Sequence, residues 1–421
     1  MIRTAIPVHE AIEKVLAHTT QLHSETVKLE DAYGRVLRAP IVASHPVPPF
    51  DRSAYDGYAV RSEDTVHATK TNKIAFKKIG DIGAGYVGRK RLQPFEAYRI
   101  MTGAKLPEGA DAIIMLEHTE TTEDGFTINT PIKHHENISF TGEDAKEGEM
   151  LIEAGDIIHP GTSALLATFG YANVEVGKKP RVSILSTGTE LLNVDEPLQD
   201  GKIRNSNGPM LEAQLKRMGI QATSYGMSED NLDACTKIVE EALENSDVVM
   251  TTGGVSVGDY DYLPQIYERL GATVLFDKIM MRPGSVTTVA VVGDKLLFGL
   301  SGNPSACFTG FELYARPALL KMMGATKLFL PTMKASLGED FTKANPFTRF
   351  IRASWDIQNG KIVASPAGFN KSNAVSSIAR GNCIIVLPSG SEGYVKGAEI
   401  DVLLLGQEQG VAQWILERYY M

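Results

Sequence analysis

The chain has 421 residues, 43% hydrophobic and 22% charged, which is ample apolar material for several cores and rules out a disordered protein. Its 42 basic residues are outnumbered by 51 acidic ones, giving a net charge of −9, so it lacks the basic footprint of a nucleic-acid binder. The three scattered cysteines, Cys235, Cys307 and Cys383, exclude a disulfide framework and a cysteine-based zinc site. No run approaches the roughly 18 apolar residues of a membrane span, and the N-terminal segment has no signal-peptide core. A cytoplasmic protein of two to four domains is expected, at about 100–200 residues per domain, with no membrane or nucleic-acid partner.

In chain order, residues 8–18 place Val8, Ile12, Val15 and Leu16 on one helical face, and a second short amphipathic stretch covers Leu29–Leu37. Pro46, Pro48 and Pro49 then impose an extended segment. From Tyr58 to about Thr141 short apolar runs alternate with turn residues, predicting an all-β domain. Thr162–Gly170 reads as a short helix ending at a glycine. Between residues 180 and 325 strand-like and helix-like runs alternate: RVSILSTG, NGPMLEAQLKRMG, IQATSYG, NLDACTKIVEEALE, DVVMTTGG, DYLPQIYERLG, ATVLFDK and LLFGL. This pattern predicts a doubly wound parallel sheet, closed by a long helix from Pro304 to Met323 with Gly324 at its C′ position. After Pro331 the pattern returns to β alternation, and VAQWILERYY predicts a terminal helix.

The run Gly83-Ala84-Gly85-Tyr86-Val87-Gly88 matches the dinucleotide fingerprint GxGxxG, but Pro94 interrupts the helix it would open and no acidic residue follows at the required spacing. It reads as a glycine-rich turn of the β domain. The informative loops follow strands of the α/β region: Ser186-Thr187-Gly188-Thr189-Glu190, the stretch around Asp230, Thr251 to Asp261 (with Gly253, Gly254, Ser256 and Asp259), and Ser301-Gly302-Asn303-Pro304. At the carboxyl ends of one sheet such loops converge on a crevice, where glycines and hydroxyls cradle an anion. The carboxylates Glu190, Asp230, Asp259 and Asp261 would repel a bare phosphate, which suggests a divalent cation, Mg²⁺, between them. No Walker A pattern occurs, and no histidine lies beyond His159, so a Ser-His-Asp triad within the α/β domain is excluded.

Seven motifs in order resemble those of the molybdopterin molybdenumtransferases, MoeA-like bacterial enzymes related to the C-terminal domain of gephyrin. They are PPFDRSAYDGYAVR (48–61), RIMTGAKLPEGADAIIMLE (99–117), GEDAKEG (142–148), STGTEL (186–191), NSNGPML (205–211), TTGGVSVGDYDY (251–262) and GLSGNPSA (299–306). The resemblance covers essentially the whole chain. It implies a multidomain α/β plus β fold: a discontinuous connecting domain (1–45 and 143–178), a β domain (46–142), a doubly wound α/β molybdopterin-binding domain (179–327), a C-terminal β-barrel (328–407) and a terminal helix (408–421). It further implies a homodimer that works with other molybdenum cofactor biosynthesis proteins, inserting molybdenum from molybdate into adenylylated molybdopterin with release of AMP, dependent on Mg²⁺.

Carried over residue by residue, the resemblance makes Asp56, Thr102, Asp144 and Asp261 catalytic candidates, and Glu190, Asp230 and Asp261 metal ligands. Ser186, Thr187, Gly188, Gly253, Gly254, Ser256, Gly302, Asn303, Pro304 and Ser372 are candidates to bind the substrate, with Lys278 and Arg282 near its phosphates. The chain departs from the family pattern at five places, two of them Arg52, where asparagine is common, and Tyr55, where methionine is common. Arg282-Pro283-Gly284-Ser285-Val286 replaces a lysine-proline-glycine-lysine-proline run, Ser301 stands where a proline is usual, and Asn370-Lys371-Ser372-Asn373 lacks the usual glycines. The alternatives are the partner reaction, adenylylation of molybdopterin, and a non-enzymatic scaffold.

Overall fold

The computed structural model describes residues 4–228, 232–253, 262–342 and 345–406. The chain forms two compact units, one of residues 1–39, 154–163 and 172–421 and the other of residues 40–153 and 164–171.

The first unit is organised by a six-stranded sheet. Its strands are β1 (Val182–Thr187), β2 (Ala222–Ser228), β3 (Val248–Thr252), β4 (Thr273–Phe276), β5 (Thr288–Val292) and β6 (Lys295–Leu300), in the spatial order β2-β1-β3-β6-β5-β4. Helices α1 (Asn207–Arg217), α2 (Leu232–Asn245) and α3 (Leu263–Arg269) alternate with the strands. Successive strand residues point to opposite faces, and here both faces are apolar. Ile184, Met250 and Phe298 join one core with Leu211 and Leu215 of α1, whereas Leu185, Val249 and Leu297 join another with Val239 of α2 and Ile266 of α3.

Strands β2, β1, β3 and β6 are parallel, as the alternation predicts, and the ATVLFDK run points the same way; the reversed strand is β5, inserted between them. The ATVLFDK run forms β4, which pairs antiparallel with β5, and β5 turns back onto β6 through Gly293 and Asp294. Helix α3 carries the chain over to β4 in the parallel sense, whereas the chain between β4 and β5 carries no crossover helix, so β5 returns antiparallel. The helix expected from Pro304 to Met323 is α-helical over Pro304–Gly310, passes through a π turn at Phe311–Ala315, and resumes over Arg316–Met323. Gly324 caps it with φ +88°, a conformation that glycine adopts without strain.

Five strands, Thr332–Leu337, Thr348–Gln358, Lys361–Pro366, Cys383–Leu387 and Glu399–Leu404, close into the C-terminal barrel because Thr348–Gln358 pairs with both Lys361–Pro366 and Cys383–Leu387. A short strand, Met281–Arg282, adds to the barrel beside Thr348 and Arg349. The N-terminal helix spans Val8–Ala17 and buries Ala11 and Val15 in the core beneath the α/β sheet. The amphipathic stretch expected at Leu29–Leu37 is helical only as a single 3₁₀ turn, Leu29–Asp31; beyond it Val36 and Leu37 form β-bridges instead. The strand Ser24–Lys28 pairs with Asn173–Gly177, far away in sequence.

The second unit is β-rich. Its sheet runs Ala112–Met115, Gly57–Val60, Glu96–Ile100, Ile74–Ile82, Gly125–Ile128, Glu120–Thr121. The GxGxxG run lies in the connection between Ile74–Ile82 and Glu96–Ile100 and opens no helix. The helix expected at 162–170 spans Pro160–Thr168, with Gly170 at φ +77° behind it. The predicted terminal helix at 408–421 lies outside the described residues.

Candidate functional site

The sheet order places the ends of β1, β3 and β6 side by side, and glycines let their loops touch. Gly253 has φ +85°, and a Cβ there would stand 2.5 Å from the Thr187 carbonyl oxygen; a Cβ on Gly302 would meet the Gly253 Cα at 3.5 Å. The Gly253 N–H donates to the Leu300 carbonyl at 3.2 Å. Ser186 sits at the centre of this floor: its hydroxyl accepts from the Asn205 amide at 2.9 Å and from the Thr252 hydroxyl at 3.2 Å. Asn205 also accepts from the Gly208 N–H (3.1 Å) at the start of α1, and the Asn207 amide donates to the Gly302 carbonyl (2.9 Å). Thr187 donates to the Thr252 carbonyl at 3.3 Å. The predicted binding residues Ser186, Thr187, Gly253 and Gly302 are therefore brought together as a floor of neutral hydrogen-bonding groups.

Gly188 has φ +146°, and a Cβ there would lie 2.5 Å from a carboxylate oxygen of Glu190, so only glycine lets this exposed carboxylate fold back over the loop. The other predicted carboxylates, Asp230, Asp259 and Asp261, and the loop residues Gly254 and Ser256, lie outside the described residues. Among the described residues no three or more His, Cys, Asp or Glu side chains group as a metal centre.

Beyond the floor, Asn303 and Pro304 begin the long helix, and that helix is tied to the barrel's 370–374 loop. The Ser305 N–H donates to the Ser372 carbonyl at 3.0 Å and its hydroxyl to the Ala374 carbonyl at 2.6 Å. A cavity of about 490 Å³ opens here. Arg282, Ser285, Ser301, Asn303 and Ser372 line it, together with three cations that the sequence reading passed over: Arg349, Arg352 and Lys371. Among the described residues no Asp or Glu lines it. Lys278 is not among the lining residues; its carbonyl accepts from the Ile6 N–H at 3.1 Å.

Arg352 is 1% exposed, and burial pushes its guanidinium down to about 10, still cationic at neutral pH. Its Nε donates to the Ser377 hydroxyl (3.3 Å) and its Nη2 to the Lys371 carbonyl (3.1 Å), which fixes its plane. A signal for it existed in the strand RFIRAS, where an arginine stands in an otherwise apolar barrel strand. No motif marked Arg349, and Lys371 stood in the Asn370–Asn373 motif without being assigned a role.

In the second unit two of the candidates, Asp56 and Thr102, are hydrogen-bonded to each other, a pairing the sequence did not indicate. The Thr102 N–H and hydroxyl donate to the same Asp56 oxygen, at 2.7 and 2.9 Å. These two bonds, the backbone one first, hold the Asp56 carboxyl below the usual range, with help from the charge of Arg99. Asp51 repeats the arrangement, accepting from the Thr141 N–H and hydroxyl, both at 2.8 Å. Asp144 is exposed, and its N–H donates to the Val47 carbonyl at 3.0 Å.

Three family models match the chain: "MoeA N-terminal region (domain I and II)" over residues 6–170, "Probable molybdopterin binding domain" over 183–321, and "MoeA C-terminal region (domain IV)" over 334–405. A curated molybdopterin molybdenumtransferase of Staphylococcus aureus (strain COL) is 50% identical over 414 residues, 98% of this chain and 99% of its own. The chain belongs to the MoeA family. A Staphylococcus epidermidis protein of the same name is 49% identical over 96% of each chain. The crystal structure of a molybdopterin biosynthesis MoeA protein from Pyrococcus horikoshii OT3 superposes with TM-score 0.82 at 32% identity, over 95% of this chain and all of that one. Of the departures from the MoeA pattern, those at 282–286, Ser301 and 370–373 line this cavity, whereas Arg52 and Tyr55 belong to the second unit.

Proposed function

We infer that this chain is a transferase of molybdenum cofactor biosynthesis, which inserts molybdenum from molybdate into adenylylated molybdopterin and releases AMP. The observation that carries this reading is the 50% identity, over 98% of the chain, to a relative named molybdopterin molybdenumtransferase. The site is suited to it. The floor around Ser186, Asn205 and Thr252 offers neutral donors and acceptors to a polar substrate, and the cavity lined by the cations Arg282, Arg349, Arg352 and Lys371 suits a tetrahedral oxyanion such as molybdate. Arg352 is already oriented by Ser377 and Lys371, so it stabilises developing anionic charge without reorganising. Burial pushes the Cys383 thiol up to about 12 and the Cys307 thiol up as well, so neither offers a thiolate, and the sulfurs that take up the metal are those of the substrate.

In the same reading Glu190, an exposed oxygen donor, holds Mg²⁺ with Asp230 and Asp261. Mg²⁺ so bound would neutralise the charge of the phosphoanhydride. Asp56, ionised and pinned by Thr102, and Asp144 serve as the polar working groups of the N-terminal half. The division into connecting (1–45, 143–178), β (46–142), α/β (179–327) and barrel (328–407) domains, a homodimeric assembly and a cytoplasmic location complete the proposal. Among the described residues no helix is long and apolar enough to cross a membrane.

The test is AMP release from adenylylated molybdopterin. Release that requires molybdate supports the reading. Formation of the adenylylated compound from molybdopterin and ATP would identify the partner adenylyltransferase instead, and neither activity would identify a scaffold.

A further inference from the structure

Arg282 and Arg349 are direct partners in neighbouring parallel strands, Met281–Arg282 and Thr348–Gln358, and both side chains line the 490 Å³ cavity. Adjacent strands lie about 4.8 Å apart, so two guanidinium groups rise side by side from the same edge. Like charges placed opposite each other across a strand pair destabilise a sheet. Among the described residues the usual remedy, an intervening carboxylate, is not found: none of them that lines the cavity is Asp or Glu, and neither arginine forms a carboxylate ion pair.

Each arginine is instead held by a neutral group that preserves its charge. The Arg282 guanidinium stands 5.3 Å from the Phe347 ring centroid. Arg349 donates through Nε to the Asn345 side-chain oxygen at 2.7 Å. Asn345 is 2% exposed, and its own amide is anchored on the Leu387 and Pro388 carbonyls at 2.9 and 2.7 Å. It therefore cannot swing away, and it occupies only the Nε of Arg349. The two terminal nitrogens of that guanidinium are left for the cavity.

We infer that Arg282 and Arg349 form a cross-strand clamp for one tetrahedral oxyanion, with Arg349 a substrate-contacting residue positioned by Asn345. The inference rests on the proposed transferase reading and adds to it a residue and a geometry. The anion between the arginines removes their repulsion, so the clamp is strained when empty and relaxed when filled. Two sources share this chemistry: molybdate itself, and the phosphate of the nucleotide-bearing substrate.

The experiment uses the full chain and two probes, sodium molybdate alone and AMP alone, titrated calorimetrically into wild type, R349Q, R349K and R352Q. Loss of one charge-assisted contact predicts that R349Q weakens one of the two anions by about tenfold or more. Weaker molybdate assigns the clamp to the metal oxyanion, and weaker AMP assigns it to the substrate phosphate. R349K, which keeps the charge without the fork, falls between wild type and R349Q. The anion-free R349Q protein unfolds at or above the wild-type temperature because the repulsion is gone, and it gains less than wild type from the added anion. If R349Q and R349K bind both anions as wild type does while R352Q is weakened, the clamp is wrong and the oxyanion cavity stands. If R352Q also binds both normally, the cavity takes no oxyanion and the reading beneath the clamp falls with it. If anion-free R349Q melts many degrees lower and R349K binds normally, Arg349 is structural and the clamp is equally overturned.

Discussion

Replacing Arg352 by methionine separates the cavity's function from its stability. The wild-type guanidinium is 1% exposed, and its displacement from the ordinary arginine value down to about 10 corresponds to about 3 kcal/mol against the charged form. Its hydrogen bonds to the Ser377 hydroxyl (3.3 Å) and the Lys371 carbonyl (3.1 Å) return about 2–3 kcal/mol between them. The two effects nearly cancel, and methionine is a flexible side chain that can fill the space the arginine stem occupies. R352M is therefore expected to unfold in denaturant within about 1 kcal/mol of wild type, while molybdate-dependent AMP release is lost. The pH dependence has a definite sign. Because the folded-state value is depressed, the cost of the charge is present in full below about pH 10 and is relieved as the pH rises past it, so wild type gains on R352M only on the alkaline side. A loss of more than about 3 kcal/mol, or R352M retaining wild-type turnover, would refute the balance: the first would make Arg352 a structural strut, the second would remove it from the site.

Three further outcomes are expected. Gly253→Ala forces a left-handed backbone on a residue with a Cβ and drives that atom to within 2.5 Å of the Thr187 carbonyl, so a loss of about 2–4 kcal/mol is expected in thermal or denaturant unfolding; a loss below about 0.5 kcal/mol would mean that the loop contact is soft. Thr102→Val removes one of the two bonds that lower the Asp56 carboxyl and lets it rise, so the acid limb of kcat/KM moves to higher pH; an unmoved limb would show that Asp56 does not govern it. Glu190→Gln is expected to raise the Mg²⁺ concentration for half-maximal activity roughly tenfold or more with an unchanged melting curve, and an unchanged Mg²⁺ requirement would take Glu190 out of the metal set.

Much of the architecture was legible in the chain itself. The runs that become β1, β3 and β6 are apolar at successive positions because a parallel sheet covered on both faces buries every residue, and the helices between them show their own period. Pro304 and Gly324 mark the ends of the long helix through backbone preferences that are local. The loops of the floor were legible for the same reason: Ser186, Gly253 and Gly302 each stand just after or at the end of a strand that the pattern already locates. Asp56 and Thr102 were singled out only through resemblance, and their pairing only by the structure, since 46 residues of chain separate them.

Tertiary structure alone decided the rest. That ATVLFDK lies at the sheet edge, parted from the other parallel strands by a reversed one, depends on the connections and not on its own composition, and β5 is a short run whose place is set by its turn onto β6. The cationic cavity is the clearest case. Arg282 comes from a two-residue strand leaving the α/β sheet, Arg349 and Arg352 from one barrel strand, and Lys371 from a barrel loop. Arg282 was singled out only by resemblance, and Arg349 and Arg352 carry no local signature of anion binding, because what makes the cavity is closure of the barrel and the pairing of Arg282 with Arg349. Strand register of that kind is fixed by the burial of many side chains at once, so it becomes readable only when the barrel has closed.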